Sequence, residues 1–485
     1  MHKIIFTMLA FLFACGVSKA QFAPLVLPAQ YGPRGLAGPA AADPQFPATG
    51  QGAYGGQGLA PFGNGEQPLP RFAGESGPQN VLMFNLNDST GYENHVYATN
   101  QGTYGDFFTD AGAELAFFAE RKHLSFSMDY LPSFYVYRRD TGADNWNQSL
   151  NLSAAFELSQ RFELRVRDYG LEYSYGMFGN GQQLVPGLEP PGGVVSNSIN
   201  PSSRYINDNS RLDLVFTKSE RTMIDVFGGY NIMTFRGTST EMQGATGGLS
   251  FMYLPSRRGA LSATYTYSNS LFEANSSLLN AGTTPMGSRF ATQSLNLSYA
   301  YRIFKSTSVS LFAGPERTHV RETLVELIPL PPFGVGQLII PVDQFEWAWS
   351  AGGGVMTTTH NTTLSLMASR AVTNGGGLLT DVTGTFGALA IGRRLPHGWQ
   401  WSTTLNYGLS QALALGGLQR GSFNTETGMA SLSHKLGERL TYSMDYQYQR
   451  QRVGGGTSIN VASLDRSVAT IRFGWQVKRV AIRSH

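Results

Sequence analysis

The chain has 485 residues, of which 41% are hydrophobic, 12% aromatic and 14% charged, with 57 glycines and a net charge of +3. That is poor in charge and rich in glycine for a soluble enzyme. The basic residues gather in short runs such as Arg121–His123, Ser256–Arg258 and Gly392–Arg394, so no basic stripe of the kind that tracks phosphates is present, which argues against nucleic acid as a partner.

Residues 1–20 carry Lys3, an apolar run from Ile4 to Cys15, and small residues at Ser18 and Ala20. This is the pattern of a secretory signal peptide cut after Ala20. Cys15, the single cysteine, lies inside that signal, so the mature chain is expected to have no disulfide or thiolate chemistry. A second processing route stays open, because Leu12–Cys15 loosely resembles a lipobox in which the cysteine is lipidated; either route exports the chain. No later run approaches the about 18 apolar residues that a membrane helix needs. Residues 21–78, rich in Pro, Gly, Ala and Gln with hardly any charge, cannot bury a core and read as a disordered periplasmic linker. A plug inside a pore and a contact with another envelope component are the alternatives for it. The predicted domains are thus a signal (1–20), this segment (21–78) and a barrel (79–485).

From about Val81 onward the sequence alternates with period two, the signature of strands. In "LSFSMDYLPSFYVY" Leu124, Phe126, Met128, Tyr130, Pro132, Phe134 and Val136 face one way, with Ser125, Ser127, Asp129 and Ser133 between them. Such a run of about fourteen residues is far longer than the five or six of an ordinary strand. The pattern recurs in "LNLSAAFEL" (150–158), "ALSATYTYS" (260–268), "SLNLSYAY" (294–301), "WQWSTTLNYG" (399–408) and "TYSMDYQYQ" (441–449). Short connections are expected at Glu120–His123, Ser159–Arg161, Lys218–Arg221, Leu254–Gly259, Phe304–Thr307, Thr359–Asn361, Arg393–Gly398 and His434–Arg439. Longer ones are expected at 175–208, 270–288, 321–343 and 451–464. Short turns on one side and long loops on the other are the plan of an outer-membrane barrel.

The expected fold is therefore all-β: a transmembrane antiparallel up-and-down barrel of about 18 strands, with 16 as the alternative because the first strand (Val81 to about Ala98) and the loop edges are ambiguous. An even number puts both chain ends on the short-turn, periplasmic side. A tilted strand needs about 9 to 11 residues to cross the hydrocarbon, and only closure gives every backbone group a partner there. Five tryptophans fall at outward parity near strand ends, Trp347, Trp349, Trp399, Trp401 and Trp475, where an aromatic girdle is expected; Trp146 is placed in an external loop. The last strand, "RSVATIRFGWQVK", points Ala469, Ile471, Phe473, Trp475 and Val477 outward, and the chain continues through "RVAIRSH" instead of ending on an aromatic residue.

A family resemblance rests on "RKHLSFSMDYLPSFYVYRRD" and "NQSLNLSAAFELSQRFELRVRD". Tyr130, Pro132, Ser133, Ser159 and Arg161 resemble the early repeat of bacterial outer-membrane β-barrel porins, in which a Tyr-x-Pro-Ser-like strand precedes a hairpin with a Ser-x-Arg turn. The likeness covers about fifty residues and otherwise extends only to architecture. It implies a porin or envelope transport component in the outer membrane of a Gram-negative bacterium, delivered through the barrel-assembly machinery.

Parity assigns Glu114, Asp129, Glu157, Glu163, Arg165, Arg167, Arg211, Asp213, Asp445 and Arg472 to the lumen, together with Asp225, whose strand can be read in either register. Charges on the lipid face would cost about 2 to 4 kcal/mol each for Arg at midplane, so the inward assignment has a physical basis. In "FELRVRD" Glu163, Arg165 and Arg167 share a face, either as a constriction that orients a solute or as wall charges paired with neighbouring strands. The excess of inward acids hints at weak cation preference. The segment Arg321–Gln344 holds two apolar runs around Pro331–Gly334, a hairpin that prolongs two strands, folds into the mouth, or contacts a hydrophobic solute or partner. Enzyme readings are poor: His319 faces outward, whereas Ser308 and Ser310 of its strand face inward, so no serine–histidine pair forms. No metal-ligand spacing and no phosphate loop is found, and no cofactor is expected. The expected function is passive diffusion of small hydrophilic solutes across the outer membrane, with lipid around the barrel. The alternatives are a partner-gated export conduit, for example for polysaccharide, and a filled structural or adhesive barrel. Nothing in the pattern specifies an oligomeric state.

Overall fold

A computed structural model describes residues 80–95, 105–121, 123–141, 144–173, 204–236, 240–256, 258–273, 283–304, 306–330, 334–374, 381–412, 422–437, 439–454, 464–476 and 480–482. The signal and the Pro/Gly-rich segment lie outside the described residues. The elements are β1 (Asn80–Glu93), β2 (Asp106–Glu120), β3 (Leu124–Tyr137), β4 (Asn145–Glu157), β5 (Phe162–Tyr173), β6 (Arg204–Ser219), β7 (Thr222–Arg236), β8 (Thr240–Ser256) and β9 (Gly259–Glu273). They continue as β10 (Thr283–Phe304), β11 (Thr307–Leu330), β12 (Gly334–Thr358), β13 (Thr362–Asn374), β14 (Asp381–Arg394), β15 (Trp399–Ala412), β16 (Ser422–Leu436), β17 (Leu440–Gly454), β18 (Leu464–Gln476) and a short β19 (Val480–Ile482).

Each strand pairs antiparallel with its neighbours in sequence, and β1 pairs with both β2 and β18, from Asn85↔Gln476 to Glu93↔Val468. The sheet is therefore a closed 18-strand barrel. β19 continues the line of β18 and pairs Ile482 with Asn80 and Val480 with Leu82, so the residues beyond the last long strand extend the closing seam downward.

The two faces explain why the strands are long. Leu212 and Leu214 are 49% and 38% exposed while Asp213 between them is 1% exposed. The same contrast runs round the sheet, with Leu249, Tyr265, Leu297, Leu311, Leu366, Leu405, Tyr446 and Phe473 all exposed on one face. A ring of exposed apolar side chains this extensive needs lipid as its solvent. At about 3.3 Å per residue and a tilt of 35–45°, even the 12 residues of β5 rise roughly 30 Å, enough for a hydrocarbon band about 25 Å tall.

The eight short connections expected from sequence lie on the side where β1 begins. On the other side the length rule is looser: 138–144, 237–239 and 331–333 are also short. The segment 321–343 is no loop, because β11 and β12 stay paired as far as Leu330↔Gly334, prolonging two strands beyond the band. Trp146, expected in a loop, belongs to β4, opposite Phe134 with ring centroids 6.3 Å apart. β4 begins at Asn145, so the strand reaches Trp146.

Glycine permits close packing of the inner wall at specific places. At Gly248, directly opposite Phe227, a Cβ would overlap the Phe227 ring and the Tyr265 carbonyl oxygen. The ring fills the space that a side chain would take.

Candidate functional site: the inner face

Strands β5, β6 and β7 bring the densest charges together. The register sets Arg165 opposite Asp213, Arg167 opposite Arg211, and Val215 between Glu163 and Asp225, so all six charged residues share one face and the ambiguous register of Asp225 is resolved inward. Arg165 Nε donates to Glu163 at 2.9 Å, while Arg167 Nη2 and Arg211 Nε donate to the two oxygens of Asp213 at 2.6 and 2.8 Å. Arg211 also lies 4.0 Å from Asp225 and over the Phe227 ring at 4.3 Å. The cluster is a laterally paired ladder of three acids and three arginines, with Asp213 at its centre.

The other residues assigned inward occupy the same face. Glu114 accepts from Asn85 Nδ2 at 2.7 Å; Asp129 stands opposite Ala116 and Asn151; Glu157, opposite Glu163, lies 3.5 Å from His123 at the turn. Asp445 accepts from Ser431 and Ser443, with Arg472 at 3.8 Å. Around them small hydroxyls bond across strands, as in Ser250–Thr264 at 3.0 Å, Ser262–Ser298 at 2.6 Å and Thr292–Thr318 at 3.2 Å. An inner wall of β-branched and small hydroxyl residues satisfies its polar atoms sideways and recesses them from the lumen.

Sequence reading missed several inward groups. Glu93 of β1 forms an ion pair with Arg466 of β18, Oε1 and Nε 2.6 Å apart, and accepts from Tyr137 Oη of β3 at 3.1 Å, with Glu93 and Arg466 almost fully buried. Phe108, Tyr135, Tyr137 and Val468 pack beside this clasp. Asp110 accepts from Ser89, and Asp106 from the backbone N–H groups of Arg139 and Asp140. Parity with Glu114 was a signal for Asp106 and Asp110; Glu93 and Arg466 sit at strand ends whose limits the pattern left open. Glu316 was hidden by the adjacent Pro315. Its carboxylate accepts from the Val372 N–H at 3.0 Å, two strands away, where the pairing of β12 with β13 has stopped at Ala351↔Arg370.

No family model matches the chain, and no curated protein matches it. Solved structures do resemble it. The Acinetobacter baumannii OccAB3 structure is 11% identical, covering 82% of this chain and 99% of that one at a TM-score of 0.41. That of Pseudomonas aeruginosa OccK2 (OpdF) in complex with glucuronate is 12% identical over 82% and 98% at 0.41. The siderophore receptor PirA from Pseudomonas aeruginosa is 11% identical over 82% and 80% at 0.39. These likenesses assign no family, and the barrel rests on this chain's own strand pairing.

The five girdle tryptophans share the outward parity. Trp347, Trp349, Trp401 and Trp475 are 68%, 71%, 36% and 49% exposed, and Trp399 stacks on His434 with centroids 4.5 Å apart. Trp399, Trp401 and Trp475 lie near the short-turn ends of β15 and β18, and Trp347 and Trp349 far up β12, so the outer face has aromatic residues at both heights. His319 faces outward and bonds Asp343 at 2.6 Å; Ser308 and Ser310 stand on the opposite face of β11. Among the described residues no group of three His, Cys, Asp or Glu is placed to hold a metal.

Proposed function

We propose that this chain is a porin-like channel of the bacterial outer membrane, through which small hydrophilic solutes diffuse passively. The observation that carries the reading is a polar, charge-bearing inner face running round a closed 18-strand barrel whose outer face is apolar. A barrel of that strand number has room for an aqueous channel. Export by residues 1–20 and insertion by the barrel-assembly machinery belong to the same proposal, since a barrel with a secretory leader has no other route to that membrane.

The pore-lining set is Glu114, Asp129, Glu157, Glu163, Arg165, Arg167, Arg211, Asp213, Asp225, Asp445 and Arg472. Glu93, Asp106, Asp110, Glu316 and Glu346 add acids to the same face, against Arg302, Lys435 and Arg466, and this excess supports a preference for cations.

A second reading, a filled barrel, draws on the burial of large inward groups: Glu93, Val320, Gln451 and Gln449 are 0%, 0%, 1% and 2% exposed. Single-channel recording of the folded barrel in a planar bilayer separates the two. Steady steps, on the order of a nanosiemens for a wide water-filled barrel, with a cation-directed reversal potential, support the channel. Silence from a sample shown to be folded rejects it in favour of the filled barrel.

A further inference from the structure

The outer face of β10–β13, above the apolar band, departs from the rest of the wall. β11 Arg321 stands directly opposite β10 Arg289, and β11 Arg317 opposite Trp347. Like charges placed opposite each other across a pair of strands repel. Among the described residues one acid answers them here: Asp343, about 60% exposed, accepts from His319 at 2.6 Å and lies 3.3 Å from Arg321. The His319 hydrogen bond, with Arg321 nearby, holds the Asp343 carboxyl below the usual carboxylate range, so this acid is already spent.

Arg317 has no acid partner among the described residues. Its guanidinium lies flat over Phe345 at 4.1 Å and near Trp347 at 5.9 Å, and its Nε is buried with no hydrogen-bond partner. Phe345, Trp347 and Trp349, all more than half exposed, form an aromatic stripe beside it. On the far side of that stripe the strand ladder is notched, with the gap bridged from the inner side by the Glu316 carboxylate, which accepts from the Val372 N–H. β12 pairs with β13 only up to Ala351↔Arg370, although β13 pairs with β14 as far as Asn374↔Asp381. The next rungs that the register would allow, Ser350 with Ala371 and Trp349 with Val372, are missing. Arg370, exposed on the outer face, stands at the foot of the notch.

Height identifies what meets this surface. Arg317 lies ten residues up β11 from Thr307, which at about 3.3 Å per residue and 35–45° tilt is roughly 25 Å, the upper edge of the hydrocarbon band. Arg289 and Arg321 sit higher, at the level of headgroups. Guanidinium groups recognise phosphate through paired, charge-assisted N–H donors, while exposed tryptophans favour the interface.

We propose that the outer face of β10–β13, with Arg317, Arg321, Arg289 and Arg370 around Trp347 and Trp349, binds the phosphate of an anionic outer-leaflet lipid whose chains lie against the β12–β13 notch. The lipid phosphate supplies the counter-charge that Arg317 lacks. This site depends on the barrel spanning a membrane and is independent of whether the lumen conducts.

The test uses the full barrel, folded in phosphatidylcholine and checked by its heat-modifiable gel shift, then exposed to vesicles of phosphatidylcholine with a diphosphorylated lipid A. Native mass spectrometry reads retained lipid. Wild type should retain lipid A in preference to phosphatidylcholine, and Arg317→Gln/Arg321→Gln should lower retention at least about tenfold, as expected from losing two charge-assisted contacts. Arg317→Lys, which keeps the charge but loses the planar fork, should fall between them, and it serves as the test if the double variant does not fold. Equal retention by wild type and variants would overturn the proposal. So would full displacement of the lipid by inorganic phosphate at matched concentration, which would mark a site for free anions.

Discussion

Asp213→Asn is the most informative single change in the inner wall. The carboxylate is 1% exposed and holds two guanidinium groups, Arg167 at 2.6 Å and Arg211 at 2.8 Å, that stand directly opposite each other across β5 and β6. Asparagine keeps the size of the side chain and removes its charge, leaving the two cations facing each other, with Asp225 4.0 Å from Arg211. Two charge-assisted hydrogen bonds are worth about 1.5–3 kcal/mol each, and removing one partner of a buried pair costs about 3–5 kcal/mol. The expected loss is therefore about 3–5 kcal/mol, or roughly two to four decades in the unfolding constant. Urea unfolding in phosphatidylcholine vesicles, followed by tryptophan fluorescence and gel shift, measures it. Arg211→Gln/Asp213→Asn, which removes one of the opposed cations, should recover a large part of the loss. A loss below about 1 kcal/mol for Asp213→Asn would refute the reasoning, because it would mean that the ladder is bathed in water and acts as a hydrated constriction instead of a stiffened wall.

Glu316→Ala removes the acceptor that holds the Val372 N–H; a cost of about 1–3 kcal/mol is expected, with faster amide exchange at 371–373, and unchanged exchange would contradict it. Deleting 324–340 trims paired strands that rise above the membrane, so single-channel conductance should stay at the wild-type value, whereas a rise would show that the hairpin narrows the mouth. Gly314→Ala drives a Cβ into the Leu295 carbonyl oxygen, an overlap with backbone that should cost about 1–3 kcal/mol and lower the unfolding temperature. Glu114→Gln/Asp129→Asn should reduce cation selectivity, read as a smaller reversal potential in a salt gradient, while Asp213→Asn should leave its direction unchanged.

Strand existence, number and facing were legible because one physical rule governs them all. A residue facing lipid cannot be polar over most of the band, so "LSFSMDYLPSFYVY" announced β3 from Leu124 to Tyr137 at its observed limits, and the eight short turns fell where that alternation broke. Less legible was what is decided above the lipid, where prolongation of two strands at 321–343 stood as one of three readings and is the one realised. Trp146 and the segment 321–343 lie where water accepts either a loop or a strand, and hydrophobic period alone cannot separate the two. The charge ladder was legible as a face but not as a set of pairs: register sets Arg165 opposite Asp213, yet its Nε donates to Glu163 on its own strand, while Asp213 holds Arg167 and Arg211. The Glu93–Arg466 clasp was least legible: it joins the two ends of the barrel, and no local pattern records a contact between strands that meet only on closure.

The pairing also locates the origin of the wall's electrostatic field. In the β5–β7 ladder each acid has an arginine near it, so these six charges largely cancel beyond their own neighbourhood. On β2 and β11 the inward acids are held differently: Glu114 by the Asn85 amide, Asp110 by the Ser89 hydroxyl, Asp106 and Glu316 by backbone N–H groups. Neutral donors orient a carboxylate without cancelling its charge. In the proposed channel the densest charge cluster in the sequence should therefore contribute least to selectivity, and the scattered acids with amide and hydroxyl partners should contribute most.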